Sequence, residues 1–472
     1  MTQTHPRQHG VTAPQPAVSV PPSPPPAPPH RRRSARRAWP APALALANAG
    51  LIVGWWLTHG GLGRFGTPAG DLTALGQITA LLGTLTNFVL LVLISRLPWL
   101  ERRYGMDRLN HWHRLVGITA VSLIAAHVVF STAGFAVGTG RGLARQIADF
   151  ILYYPNLLAA LAGFALIVLL AVISARALRR RLRYETWWLL HLYAYLGVGL
   201  SFAHQITMGS DLAGDPWARA YWITLFALVA AAVLGFRWLL PIGRALHHRL
   251  RVAEVTPESP DAVSITLRGR HLDRLRVEAG QFFLLRFLRA DRWWKAHPFS
   301  LSAAPDGHRL RFTIKALGDD SAALRDIPVG TRVMAEGPYG AFRASRATQR
   351  RVALIAGGIG IAPIRSLLED LQRAPGDVAV LYRCRRREDA VLLQEVASLA
   401  EQRGHPLYVS FSRGANPSPD PLRPDTLLRL IPDITQRSVF VCGPTSMIDA
   451  ARAGLRGAGV PGDHVLYERF GY

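Results

Sequence analysis

Two long apolar runs each carry two histidines, and these four imidazoles constrain the chain more than any other feature. In the first run His113 and His127 stand fourteen residues apart across LVGITAVSLIAA, and in the second His191 and His204 stand thirteen apart across LYAYLGVGLSFA. At about 1.5 Å of helical rise per residue, each pair spans roughly 20 Å, most of a bilayer core of about 30 Å. Ionisable side chains at such depth are costly and mark a pathway or a cofactor. Imidazole is also a standard axial ligand of haem iron. Two helices with an upper and a lower histidine each can grip two haems, one above the other. A lone intramembrane histidine is equally well explained by a hydrogen bond to a neighbouring helix, but four at matched depths resist that reading.

The two pairs differ in geometry. Fourteen steps of about 100° leave His113 and His127 within roughly 40° of one face, whereas thirteen leave His191 and His204 about 140° apart on a straight helix. The second pair needs tilt, bending or a rotamer change, and Gly197 and Gly199 between them offer a place for it.

Apolar residues make up 49% of 472, which suits a membrane protein with a sizeable soluble portion. Six apolar runs of about spanning length lie near 41–58, 72–95, 115–137, 150–175, 186–209 and 218–242. The formal charge of +24 would suit nucleic acid, yet many of the arginines flank the apolar runs, so no nucleic-acid partner is expected. SRLPWLERRYGMDRLNHWHR and ARALRRRLRYE hold five arginines each, while the alternate loops hold four in all, Arg64, Arg141, Arg145 and Arg219. That bias predicts a multi-pass protein of the cell membrane with both termini cytoplasmic. It places His113 and His191 near the cytoplasmic face, and His127 and His204 toward the outside. His111 falls in the headgroup region and His59 at a loop edge, neither with an assigned role.

Residues 1–40, with PPSPPPAPPH and RRRSARR, cannot bury a core and read as a disordered arm. The arm is too long and proline-rich for a cleavable signal peptide, and its arginines suit a solvated tail or anionic lipid. Cys384 and Cys442 are the only cysteines. They exclude a disulfide scaffold and are too few for an iron–sulfur cluster.

The character changes after Pro241. Residues 246–345 alternate short strands such as VSITLRG, FFLLRFL and LRFTIKAL with turn signals, which predicts a small antiparallel barrel. Residues 350–472 alternate strand and helix, with RVALIA, VAVLYR, PLYVSFS and SVFVCG as strands of an open, mainly parallel α/β sheet. Gly357, Gly358 and Gly360 fall between strand and helix, where backbone N–H groups can approach a pyrophosphate; an ordinary tight turn explains them too. Arg383 and Arg385, and then Ser412 and Arg413, follow strand ends and suit the 2′-phosphate of NADP. As solvated surface charges they would look the same.

His297-Pro298-Phe299-Ser300, Gly337-Pro338-Tyr339-Gly340, the Gly357–Pro363 turn and Cys442-Gly443-Pro444 follow one another in the order of ferredoxin–NADP reductase-type flavoproteins. Joined to six spans and four histidines, residues 41–472 resemble the ferric reductase and NADPH oxidase superfamily, most of all its bacterial ferric reductase-like members. The resemblance implies a multidomain fold. A six-helix transmembrane haem domain over 41–242 would precede an FAD-binding β-barrel over 246–345 and a nucleotide-binding domain over 350–472.

The resemblance also implies roles. His113 with His191 would bind the inner of two b-type haems, and His127 with His204 the outer. His297, Pro298, Phe299 and Ser300 match the flavin motif, with Ser300 near the reactive edge of the isoalloxazine. Lys315 matches a position near the FAD pyrophosphate, and Ser321 stands where relatives often carry threonine. Gly337 and Tyr339 belong to the flavin site. Gly357, Gly358, Gly360 and Pro363 match the nucleotide turn, and Arg383, Ser412 and Arg413 match positions favouring NADPH over NADH. Cys442, with Gly443 and Pro444, matches the cysteine beside the nicotinamide. An aromatic near the C-terminus, Phe470 or Tyr472, would cover the flavin.

The activity implied is transfer of electrons from cytoplasmic NADPH through FAD and the haems to an acceptor outside the cell. Ferric chelate is the first expectation, with dioxygen, quinone or a periplasmic partner as alternatives. Two readings of other classes remain: a membrane-anchored flavoprotein reductase with structural histidines, and a haem-binding sensor without turnover.

Overall fold

The computed structural model describes residues 40–182, 184–209, 214–413 and 420–470; apart from Pro40, the arm expected over 1–40 lies outside the described residues. The helical half comprises α1 (Pro40–Thr58), α2 (Pro68–Ile94), α3 (Pro98–Tyr104), α4 (Met106–Thr139), α5 (Leu143–Tyr153), α6 (Leu157–Ser174), α7 (Arg176–Arg179), α8 (Tyr184–His191), α9 (Tyr193–Met208), α10 (Pro216–Ala232) and α11 (Leu240–His248). Helix starts follow local chemistry. Thr67 takes the Gly70 N–H ahead of α2, and Asp215 takes those of Trp217 and Ala218 ahead of α10. A proline in each first turn has no N–H to lose.

Among the described residues five helices are long and apolar enough to cross a membrane: α1, α2, α4, α6 and the continuous run from α10 to α11. Two expected spans differ. The run at 150–175 is divided, with its first residues in α5 and the long apolar helix starting only at Leu157. Pro155 forces Tyr154 into extended backbone, and Asn156 turns left-handed at φ +63. The run at 186–209 is broken at Leu192, whose N–H is shared between the carbonyls of Trp188 and Leu189 at 3.2 Å each. In the sixth run, Val233–Leu239 is a π-helix; Pro241 cannot bond the carbonyl four residues back, and the wider turn accommodates it.

Small residues bring the helices together. A Cβ on Gly76 of α2 would stand 2.5 Å from Ser131 Oγ of α4, and one on Gly134 of α4 would stand 2.8 Å from Thr73 Oγ1. A Cβ on Gly163 of α6 would meet the Gly197 carbonyl of α9 at 2.6 Å. Without water to drive helices together, such close backbone approach is what holds a bundle in lipid.

The soluble half begins with β1 (Arg251–Ser259), β2 (Ala262–Arg268), β3 (Phe282–Phe287), β4 (His297–Ser300), β5 (Arg309–Lys315) and β6 (Val333–Tyr339). They form two antiparallel sheets, β1-β2-β5 and β4-β3-β6, whose edges meet at the isolated bridges Arg251–Arg332 and Leu301–Phe312. Alternate residues of both sheets, among them Ile265, Leu267, Phe283, Leu285 and Phe312, fill one core.

The C-terminal part comprises β7 (Val352–Gly357), α12 (Ile361–Asp370), β8 (Val378–Cys384), α13 (Leu393–Gln402), β9 (Leu407–Phe411), α14 (Pro424–Leu430), β10 (Ser438–Pro444), α15 (Thr445–Gly457) and β11 (Val465–Phe470). All five strands are parallel, in the order β11-β10-β7-β8-β9. The central β7 is buried at every residue, because helices cover both faces. Strand order reverses between β7 and β10. Ligands bind in the crevice such a reversal opens at the strands' C-terminal ends.

Candidate functional site

Helices α4, α8 and α9 bring the four histidines together in opposed pairs. His113 faces His191 with ring centroids 6.3 Å apart, and His127 faces His204 at 6.4 Å. Leu192, next to His191, interrupts the second run, and Gly197 packs on α6.

The spacing can be tested against an iron between each pair. Metal–imidazole bonds of about 2 Å, with each ring centre roughly 1 Å behind its nitrogen, separate the centroids by about 6 Å. The hydrogen bonds agree. His113 Nδ1 lies 3.2 Å from the Leu90 carbonyl and His127 Nδ1 2.9 Å from that of Gly76. A carbonyl can only accept, so each Nδ1 carries the proton and each Nε2 keeps a lone pair for a metal. Ser131 Oγ at 3.2 Å supports His127, and Ser174 Oγ lies 3.5 Å from His191 Nδ1. These residues fit axial ligation of two haems.

In the flavin half, β4 carries His297, Pro298, Phe299 and Ser300 along the edge of β3, with Phe282 paired to Ser300 on one side and to Tyr339 on the other. Ser300 Oγ is buried and has no hydrogen-bond partner among the described residues. A buried hydroxyl without a partner is costly, and a ligand acceptor or donor would satisfy it. Gly337 approaches Phe283 so closely that a Cβ would stand 2.7 Å from its ring. Ser321 Oγ takes the N–H groups of Leu317 and Gly318 and so shapes the loop after β5. The Lys315 ammonium pairs with Asp261 at 3.0 Å and Asp389 at 3.3 Å. Burial opposes its charge, but the two carboxylates prevail and hold its pKa above the ordinary lysine value.

At the strand reversal, the glycines have different reasons to be glycine. A Cβ on Gly357 would stand 1.9 Å from Met447 Sδ, one on Gly360 2.2 Å from the Cys442 carbonyl, and one on Gly443 2.9 Å from Met447 Sδ. These three let β7 and β10 close on each other. Gly358 alone of this set has left-handed backbone, φ +53, with open space where a side chain would be. Pro363 lies in the buried first turn of α12.

Cys442 is fully buried, and burial, with the Glu468 carboxylate behind it, keeps the thiol protonated. Arg383, the penultimate residue of β8, pairs in register with Ser410, and its Nε lies 3.5 Å from Asp420. Ser412 and Arg413 follow β9 and bond back to the chain after β8, at Cys384 and Arg385. Pro444 pairs with Phe470 at the end of β11. The Phe470 side chain and Tyr472 lie outside the described residues.

Sequence reasoning missed the supporting residues. Ser131, one turn beyond His127, was open to reading from spacing; the Leu90 and Gly76 carbonyls carried no signal, since every residue has one. Arg96, Glu101 and Arg244 were counted only as flanking charge or passed over. They reach across to the flavin half, at Glu336, Gly340 and Gly337.

Two family models match the soluble half, the FAD-binding domain over residues 248–343 and the oxidoreductase NAD-binding domain over 354–453. The chain is an NAD(P)H-dependent, FAD-containing oxidoreductase. A third, the ferric reductase like transmembrane component, matches residues 79–202. Together the three fit a flavocytochrome of the ferric reductase/NADPH oxidase type, and with the apolar helices they mark a membrane protein.

Among curated relatives, the reductase component of propane 2-monooxygenase from Rhodococcus jostii is 28% identical over 47% of this chain and 63% of its own length. A flavohemoprotein from Xylella fastidiosa is 27% identical over 54% of this chain and 68% of its own. The chain thus spans about two thirds of the relatives it matches. Among solved structures, the FAD/NAD-binding domain of nitric oxide dioxygenase from Vibrio cholerae aligns at 24% identity and TM-score 0.42, over 48% of this chain and all of that one.

Proposed function

We propose that this protein carries electrons across a membrane, from NADPH at the β7–β10 crevice through FAD on β4 and two b-type haems to an acceptor on the far side. The observation that carries the reading is the pair of opposed imidazoles at 6.3 and 6.4 Å, at two depths of one bundle. When bound, FAD takes two electrons from NADPH and releases them singly, and a bis-histidine haem relays one electron without an open iron position.

The chain's own residues bind and orient. Leu90 and Gly76 hold the Nδ1 protons of His113 and His127, so each Nε2 would point at iron. Ser300 would donate to or accept from the flavin, Gly358 would admit the nucleotide pyrophosphate, and Arg383, Ser412 and Arg413 would take the 2′-phosphate. Cys442 would lie beside the nicotinamide as a small, uncharged surface.

The interrupted pair α8–α9 serves as the sixth span, and the two flavin sheets close into a small barrel. The membrane, flavin and nucleotide domains run over 41–242, 246–345 and 350–472. Arginine bias supports a cytoplasmic position for both termini and both soluble domains. Ferric chelate is the acceptor we favour over dioxygen, quinone or a protein partner.

The test is a reduced-minus-oxidised spectrum of the purified full chain, read with NADPH oxidation in proteoliposomes offered ferric chelate on the far side. A b-type haem signal reduced by NADPH is expected; its absence sinks the proposal.

A further inference from the structure

The bundle and the flavin sheets are joined at the last turn of α2. Arg96, just past that helix, pairs with Glu336 of β6, whose other oxygen accepts from Arg286 Nη1 at 2.6 Å. Glu336 is 3% exposed, so the arginines stand in for water. Arg96 also covers Tyr339, with its guanidinium carbon 5.4 Å from the ring centroid and Nη1 3.3 Å from the hydroxyl. The neighbouring turn is held from the bundle at both ends. Arg244 of α11 donates to the Gly337 carbonyl, and Glu101 of α3 accepts the Gly340 N–H at 2.9 Å.

The two ends of this junction lead to the two redox sites. On the soluble side, Tyr339 pairs with Phe282, which pairs with Ser300. On the membrane side, the same last turns of α2 offer the Leu90 carbonyl to His113 Nδ1 at 3.2 Å and the Ile94 carbonyl to Arg237 at 3.1 Å. One helix end thus holds the ring of an inner histidine and, six residues on, the sheet that carries the unpartnered Ser300 hydroxyl. The backbone adds a second, independent sign. Arg96 lies at φ +63, where the residue after a helix is ordinarily glycine. A side chain kept in that conformation is held there by its contacts, and such outliers collect at functional positions.

We propose that this turn sets the spacing between the flavin site and the inner histidine pair, with Arg96 as its positioning residue. The inference rests on the proposed electron route. Each transfer counts as one electron lost on the flavin side and one gained by ferric iron, with no bond made or broken. Arg96 acts on that step only through distance and orientation, by locking β6 to α2.

The test uses the full chain with its cofactors and compares Arg96→Gly, Arg96→Lys and Glu336→Gln with the parent protein. Glycine removes the guanidinium while relieving the backbone, so Arg96→Gly is expected to fold. Haem reduction by NADPH, followed by rapid mixing, should slow by between tenfold and about a hundredfold in Arg96→Gly and Glu336→Gln, the order of loss for a displacement of about 1 Å. NADPH-driven reduction of a soluble dye at the flavin should stay within twofold, and Arg96→Lys should recover most of the haem rate. Amide exchange over 333–340 should quicken in Arg96→Gly.

Unchanged haem reduction beside faster exchange overturns the positioning role and leaves a structural clasp. Unchanged exchange overturns the junction itself. A parent protein without haem sinks the proposed function instead, and the exchange measurement still decides whether Arg96 joins the two halves.

Discussion

Ser300 shows how much a single hydroxyl can decide. It ends a strand, it is buried, and among the described residues no donor or acceptor meets it. Ser300→Ala should therefore leave flavin-free protein as stable or more stable by about 1 kcal/mol, since an unsatisfied polar group is removed. The same change should slow NADPH-driven dye reduction. Loss of stability with unchanged turnover would refute a ligand role.

The histidines make a complementary prediction. His127→Ala or His204→Ala should halve the haem content, because each removes one axial ligand from one of two sites, while dye reduction at the flavin continues. Full haem content in both variants would return those imidazoles to structural duty. Residue types and spacings of this kind were legible in the chain. The proton positions were not, because they depend on which carbonyl lies beside each ring.

At the scale of elements, the bundle depends on what is missing from its helices. A Cβ on Gly76 would press on Ser131 Oγ at 2.5 Å and on the Ser131 amide at 3.0 Å, and the Gly76 carbonyl also holds His127. Gly76→Ala should thus cost about 1–3 kcal/mol through overpacking and perturb the spectrum of the outer haem alone. A variant with parent stability and spectrum would show that α2 and α4 can part freely.

Gly360→Ala, whose Cβ would lie 2.2 Å from the Cys442 carbonyl, should prevent β7 and β10 from closing. NADPH turnover should fall at least about tenfold, as it does when reacting groups are misplaced; a smaller loss would mean the crevice adapts. The break at Leu192 and the strand β11 were both hidden from sequence reading. A continuous apolar run carries no mark of a one-residue interruption. VLYERF becomes a strand because β10 provides the edge it pairs with.

Across the whole molecule, stability should depend on pH through a residue remote from electron transfer. His405, between α13 and β9, is buried, and neither ring nitrogen is hydrogen-bonded among the described residues. Burial, then the charges of Arg403 and Arg437, lower its pKa against the opposing pull of Asp377. A histidine whose folded pKa is depressed binds its proton more readily when unfolded. Its contribution is present above the unfolded value of about 6.5 and lost as pH falls toward the folded one. The thermal midpoint of the full chain should drop between pH 7 and pH 5, and less so in His405→Leu; parallel curves would remove His405 as the cause.

What the sequence determined by itself was the inventory and its order. Apolar runs, four histidines at two spacings, the His297–Ser300 and Gly357–Gly360 segments and alternating strand and helix follow from local chemistry that a window of residues contains. Tertiary structure alone decided which imidazoles face each other, that Lys315 is occupied by two carboxylates, and that Arg96 grips a strand 240 residues later through Glu336. Those outcomes depend on distances between groups far apart in the chain, and spacing along a chain does not encode distance across a fold.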